Sequence, residues 1–245
     1  MTSAKTKCST DGRAGYLYCL LLIERYYPDV EIENWIEMTV TQIFKAGTNN
    51  YKRGILYFTF AGQPYFGAAH GAIGIFYLIC EAILMNQGVI HFSQKLEAVF
   101  ITSLERMLSY QQADGNISVM YGVEEAEMIH WCHGAPGYIS MLCGAYKLVN
   151  EEKYLEAAIK AGNATWEQGI LKKGNCLCHG VAGNAYCLMH LFKVTGDLKW
   201  KHRAYSFGTV VNNKGFQDEF KKQTDTQRLK KGSSDHPLSL MEGIA

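Results

Sequence analysis

The stretch Trp131-Cys-His-Gly134-Ala-Pro-Gly137, followed by the apolar run Tyr138–Leu148, decides the fold because it recurs. Gly12-Arg-Ala-Gly15, Gly71-Ala-Ile-Gly74 and Gly180-Val-Ala-Gly183 are further copies, each leading into an apolar segment. A fifth begins at Gly243-Ile-Ala245. Spacings of roughly 45 to 65 residues between copies mark one supersecondary unit with loops of variable length. The intervening segments carry apolar residues at helical spacing. Ile32, Ile36, Val40, Ile43 and Phe44 form one such stripe; Leu96, Val99, Phe100, Leu104 and Met107 form another; Leu155, Ala158, Ile159, Gly162 and Trp166 form a third. Charge on their opposite faces makes them surface helices. Tyr16–Ile23, Ile75–Leu84 and Tyr138–Leu148 are apolar nearly all round, which predicts helices buried on every side. No segment sustains a strand-like alternation. The unit is an outer amphipathic helix, a glycine loop and an inner helix, and buried inner helices favour a closed ring over an open solenoid. The loops then gather at one end, where helix N-termini converge with their unbonded N–H groups and partial positive charge.

Composition bounds the function. The chain has 245 residues, with 24 basic against 23 acidic residues and a net charge of +1. That balance excludes an electrostatic nucleic-acid binder, and 48% hydrophobic residues exclude disorder as the default state. No apolar run reaches the roughly 18–20 residues of a membrane span. Lys5, Lys7 and Arg13 ahead of Ala14–Ile23 imitate a signal peptide. Glu24 and Arg25 follow at once without a small-residue cleavage site, so the chain reads as non-secreted. The sequons at Asn116 and Asn163 are then inert, and the eight cysteines are thiols or metal ligands rather than a disulfide framework.

The reactive residue types sit on the glycine loops. His70, His133 and His179 each precede the first glycine of a copy, and Cys132 and Cys178 precede two of those histidines. Cys132, Cys178 and His179 make a three-ligand set of the kind that leaves a fourth position open on zinc. The residues alone weigh equally for a small buried cysteine at a helix start.

Gly67-Ala-Ala-His70-Gly71, Trp131–Gly137, Cys178-His-Gly-Val-Ala-Gly-Asn184 and Leu240-Met-Glu-Gly-Ile-Ala245 together resemble the LanC-like proteins, eukaryotic relatives of the bacterial lanthionine cyclases. Gly12–Tyr18 and Gly169–Gly174 match the eukaryotic branch. The resemblance implies an all-α fold, an α/α toroid of seven inner and seven outer helices, of which residues 12–245 supply about five repeats, the last cut short. Residues 1–11 stay unmatched, so an acidic site residue carried to Lys7–Asp11 has no secure counterpart. The chain therefore reads as a fragment. Expressed alone, it should expose apolar surface at both cut edges, bind hydrophobic dyes and turn over little.

The resemblance places zinc on Cys132, Cys178 and His179, makes His70 the acid/base and assigns Lys173 to glutathione. The implied activity is addition of the glutathione thiol to dehydroalanine or dehydrobutyrine in proteins or peptides, together with phosphate elimination from phosphorylated Ser/Thr. Implied partners are thus glutathione and dehydroamino-acid-containing or phosphorylated polypeptides. The implied location is the cytoplasm, with room for a peripheral membrane or nuclear pool. A zinc- and glutathione-binding adaptor without turnover is the alternative. An unrelated helical-ring glycosidase or terpene cyclase lacks its carboxylate pair or Asp-rich motif on these loops. His133 reads as a supporting residue beside a ligand; Cys176 and His130 read as structural. Cys19, Cys80, Cys143 and Cys187 read as core, Trp131 and Tyr138 as packing, and Asp218–Lys231 as a solvated loop. His91, His190, His202 and His236 have no motif context.

Overall fold

The computed structural model describes residues 10–49, 55–86, 93–124, 126, 128–171, 174–215, 218 and 241. Their regular elements are eight helices: α1 (Thr10–Tyr26), α2 (Glu33–Asn49), α3 (Ala72–Met85), α4 (Gln94–Leu108), α5 (Ala135–Val149), α6 (Glu152–Gln168), α7 (Val181–Thr195) and α8 (Leu198–Asn212). Only isolated bridges, such as Tyr65 with Met120, represent β structure among the described residues. Odd-numbered helices form the inner layer, α1 against α3, α3 against α5 and α5 against α7. The even-numbered ones lie outside, α2 on α1, α6 on α5 and α8 on α7. This is an α/α toroid arc, as the repeat pattern predicts. Residues Gly243–Ala245 of the fifth copy lie outside the described residues. No described helix is long and apolar enough to cross a membrane.

The outer stripes of α2 and α4 bury largely as their spacing requires, whereas on α6 the buried face runs through Tyr154, Ala158, Ala161 and Gly162 and leaves Trp166 exposed. Ile36, Val40, Ile43 and Phe44 of α2 are buried, as are Phe100, Leu104 and Met107 of α4. Phe100 joins three helices edge-to-face, with its ring 5.6 Å from Phe44 and 5.6 Å from Phe76 of α3. Such pairs add about 0.5–1.5 kcal/mol each beyond their buried area. Tyr138 of α5 is buried and donates its hydroxyl to the Met107 carbonyl at 2.9 Å, tying the third inner helix to the end of α4.

The glycine motif has a steric cause. A Cβ on Gly74, Gly137 or Gly183 would sit on the carbonyl oxygen of Ala68, Trp131 or Leu177, in each case the residue six positions earlier. The loop can fold back over the first turn of its helix only where that carbon is absent. The fold-back also satisfies the helix starts, which have no side-chain cap at Gly71, Gly134 or Gly180. Ala72 N–H donates to Tyr65 O at 3.2 Å, Ile73 to Phe66 O at 2.9 Å, and Val181 to Gly174 O at 3.1 Å. These N–H groups are therefore spent on the chain's own carbonyls, which corrects the expectation that they stand unbonded.

Two further expectations change at α1. Gly12 and Gly15 lie inside this helix rather than in a loop before it. The helix also buries one face only: Leu17, Leu20 and Leu21 are buried, whereas Tyr16, Tyr18 and Cys19 are exposed. It packs on α2 and α3 and meets solvent on its remaining side, so Cys19 is not core. Gly137→Ala should destabilise the protein by about 3 kcal/mol or more, because backbone must move. Gly15 has open space at its Cβ position, so Gly15→Ala should stabilise α1 by about 0.5–1 kcal/mol. Urea unfolding of the two variants checks the contrast.

Candidate metal and thiol site

Backbone hydrogen bonds stitch the glycine loops to one another in a fixed register. Ala69 N–H donates to the Cys132 carbonyl at 3.4 Å, Cys132 N–H to the Cys178 carbonyl at 3.0 Å, and Cys178 N–H to the Met241 carbonyl at 2.8 Å. Each participant stands two residues before the first glycine of its motif. The stitch therefore sets equivalent positions of successive repeats side by side.

Cys132, Cys178 and His179 meet as a result. One ligand atom from each, two thiol sulfurs and an imidazole nitrogen, lies within 4.8 Å of the others. A single ion about 2.3 Å from sulfur and about 2.0 Å from nitrogen can bridge such a set. Cys132 is buried; Cys178 and His179 are partly accessible. The donors thus come from both sides of one loop–loop hydrogen bond, with an approach from solvent left on the Cys178–His179 side.

The buried thiols elsewhere contrast with this pair. Burial pushes the Cys143 and Cys187 thiols up to about 12 and raises Cys80 further still, so these three stay protonated and inert at neutral pH. They are core residues, as the sequence suggests. Cys176 is buried too, and desolvation raises its thiol. It does not join the ligand cluster.

His70 lies on the neighbouring loop. Its ring stacks on Phe60 with centroids 4.4 Å apart and planes 14° from parallel, and it is 6.0 Å from the ring of His133. His133 in turn packs at 5.4 Å against Tyr65. The Gly67 position is filled by the Cys132 carbonyl and the His133 ring, which brings the His70 loop onto the Cys132 loop. Phe60 precedes a tight turn at Ala61 and Gly62, both in the left-handed region at φ 48° and 80°. That turn brings the phenyl ring back over His70. His130 is buried, 6.2 Å ring-to-ring from His179. Lys173 lies outside the described residues, as does most of Asp218–Lys231.

Two asparagines that the motif pattern does not single out as site residues hold the Cys132 loop. Asn116 is fully buried. Its side-chain carbonyl accepts from Ala135 N–H at 2.7 Å and its amide donates to Ala126 O at 2.8 Å and Met128 O at 3.1 Å. Asn184, also buried, donates to Ile129 O and Gly169 O at 2.9 Å each. Asn116 therefore fixes one end of segment 126–135 and the start of α5, and Asn184 ties the middle of that segment to α7. A buried amide with this load cannot serve as a glycan acceptor in the folded chain. Asn163 is likewise engaged, accepting from Arg203 at 2.7 Å.

Comparison with known proteins agrees with this architecture. The family model described as lanthionine synthetase C-like protein matches residues 9–245. The chain belongs to that family. It is 33% identical over 241 residues to a Danio rerio protein named glutathione S-transferase LANCL1, covering 96% of this chain and 55% of the relative. It is 27% identical over 239 residues to the LanC-like protein GCL1 of Arabidopsis thaliana, covering 96% and 52%. Among solved structures, nisin cyclase superposes with a TM-score of 0.69 at 14% identity, over 94% of this chain and 58% of that one. That likeness establishes the toroid fold. The chain spans about half the length of the curated relatives it matches.

Asn116→Ala and Asn184→Ala should each loosen the Cys132 loop and lower the affinity for a metal on the Cys/His cluster by about 10–100-fold, the usual cost of losing a group that supports ligands. Competition with a chromogenic chelator measures this. Affinities equal to wild type would mean the loop holds its shape without the two amides.

Proposed function

We propose that this chain carries the zinc centre of an enzyme adding the thiol of glutathione to dehydroalanine or dehydrobutyrine in polypeptides. The observation that supports it most is the convergence of two thiols and an imidazole from equivalent positions of adjacent repeats. The name of the Danio rerio relative supports glutathione as the thiol. The cyclase name of the structural neighbour fits a peptide acceptor.

Cys132, Cys178 and His179 would hold the metal. Zinc bound there supplies a strong local positive charge that lowers the pKa of a thiol taking its open position, so that the nucleophile is available at neutral pH. The residues of the chain do the rest. The Cys132–Cys178 hydrogen bond fixes the spacing of the two sulfurs. In the addition, the sulfur bonds to the β-carbon, the carbon–carbon double bond opens, and the thiol's proton is balanced by one delivered to the α-carbon; no atom leaves. His70, on the loop bonded to Cys132, would deliver that proton, as imidazole is suited to do near neutrality. Phe60 stacked on its ring holds the imidazole in one orientation. Lys173 would pair with a glutathione carboxylate. Phosphate elimination from phosphorylated Ser/Thr is the reaction that creates the dehydro acceptor, and His70 is the corresponding base for its α-proton.

The chain should bind about one zinc. Cys132→Ala, Cys178→Ala and His179→Ala should each sharply reduce it, whereas His70→Ala should keep the metal and slow addition by about 10²–10⁴-fold. Lys173→Ala should raise the glutathione requirement more than it lowers the saturated rate. Metal content by mass spectrometry and the mass gain of a dehydroalanine peptide with glutathione are the readouts. Stoichiometric zinc in the Cys132→Ala/Cys178→Ala double variant would overturn the ligand assignment. Zinc lost in step with activity in His70→Ala would move that residue into the ligand set.

A further inference from the structure

Beneath the stitched loops lies a half-open cavity of about 570 Å³, lined by α1, α3, α5, α7 and the loops themselves. Its upper wall includes Trp131 and Leu177, the residues immediately before Cys132 and Cys178, so it begins one residue, about 3.8 Å of chain, from the ligand positions. Ile73, Leu78 and Tyr77 line it, and Gly15 leaves open space where a side chain would stand. No described lining residue is charged. Burying an unpaired carboxylate or ammonium in such a wall is prohibitive. The described lining therefore favours an uncharged, mostly apolar group over a charged one such as a glutathione carboxylate.

Its described lining is mostly apolar, with Tyr18, Tyr77, Tyr186, Trp131 and Ser140 as the residues that carry hydrogen-bonding groups. Ser140 of α5 shares a 3.3 Å hydrogen bond with Nδ1 of His190 on α7. His190 is held in place by the Tyr77 ring, edge-to-face at 5.9 Å. Burial, helped by Lys147 and Lys193, pushes its imidazole down to about 4, so it is neutral at physiological pH and puts no charge into the wall. Ser140 also bonds the Cys187 thiol; a serine hydroxyl has one donor and two acceptor sites, so these two bonds leave one site for a ligand.

We propose that this cavity is a recognition pocket for a large apolar side chain flanking the dehydroamino acid of the peptide substrate, with Ser140 as a hydrogen-bonding contact. This rests on the addition chemistry above for its choice of ligand, but the pocket's chemistry stands on its own walls. The recognised group is aromatic or aliphatic, uncharged, and best with a single hydroxyl, as in tyrosine. The pocket would make the enzyme select acceptor sites by their neighbours, while the thiol enters from the metal side.

The test is binding by the zinc-loaded chain without glutathione. Two fluorescein-labelled peptides differ only in tyrosine or alanine beside the dehydroalanine, and anisotropy gives their affinities. p-Cresol, titrated calorimetrically, probes the pocket without a peptide. The tyrosine peptide should bind about tenfold or more tightly than the alanine peptide, the discrimination a pocket of this kind supports. Leu78→Trp, which fills the cavity, should erase that preference and p-cresol binding while zinc content stays at wild type. Ser140→Ala should weaken p-cresol about threefold to tenfold and serves as the gentler variant. Equal affinities for the two peptides with p-cresol still bound would show that the pocket takes free small molecules, overturning the side-chain assignment. Neither p-cresol binding nor peptide preference, with zinc retained, would overturn the pocket altogether. Absence of zinc with both binding results intact would instead overturn the metal reading and leave the pocket standing.

Discussion

The interaction on which the rest depends is the line of backbone hydrogen bonds running Ala69 to Cys132 to Cys178 to Met241. Each bond joins the same position of successive repeats, and each requires the loop to lie flat across the first turn of its inner helix. That in turn requires no Cβ at Gly74, Gly137 and Gly183, whose places are taken by loop carbonyls. The glycines, the helix starts and the Cys/His cluster are thus consequences of one steric condition. Relaxing it at a single glycine would move a loop and with it a ligand position.

The same geometry sorts the thiols. Cys80, Cys143 and Cys187 project from inner helices into the core, where desolvation holds them protonated. Cys132 and Cys178 stand in the loops just before α5 and α7, on backbone already fixed by neighbours on both sides. A reactive thiol needs a stabilised charge rather than an unusual residue type, and the toroid supplies it only where the loops meet.

Much of this was legible in the residues, for identifiable reasons. Gly-x-x-Gly before an apolar run marks the loop folded onto α3, α5 and α7, and the apolar stripes mark α2, α4 and α6, so these could be read directly, whereas α8 was not among them. Cys-His-Gly at equivalent points of two repeats brings the ligands together in any structure that keeps the repeats in register. What could not be read depends on contacts between segments distant in the chain. Asn116 looks like a sequon, and only the folded loop reveals it as a triple hydrogen-bond clamp. The stacking of Phe60 on His70 hangs on a turn whose direction no pattern announces. The apolar run of α1 suggested burial on every side, yet burial needs a neighbour on each face, and α2 and α3 cover only one. The helix-start N–H groups looked unbonded because their acceptors, seven residues upstream at Tyr65 and Phe66, become neighbours only when the loop closes.

The central claim is that Cys132, Cys178 and His179 hold one zinc between adjacent loops. X-ray absorption spectroscopy of the zinc-loaded chain tests it most directly, because it counts sulfur and nitrogen around the metal without requiring turnover. The account predicts two sulfurs near 2.3 Å, one imidazole nitrogen near 2.0 Å and one further light atom. A zinc shell of nitrogen and oxygen alone, or one with three or four sulfurs, would contradict it.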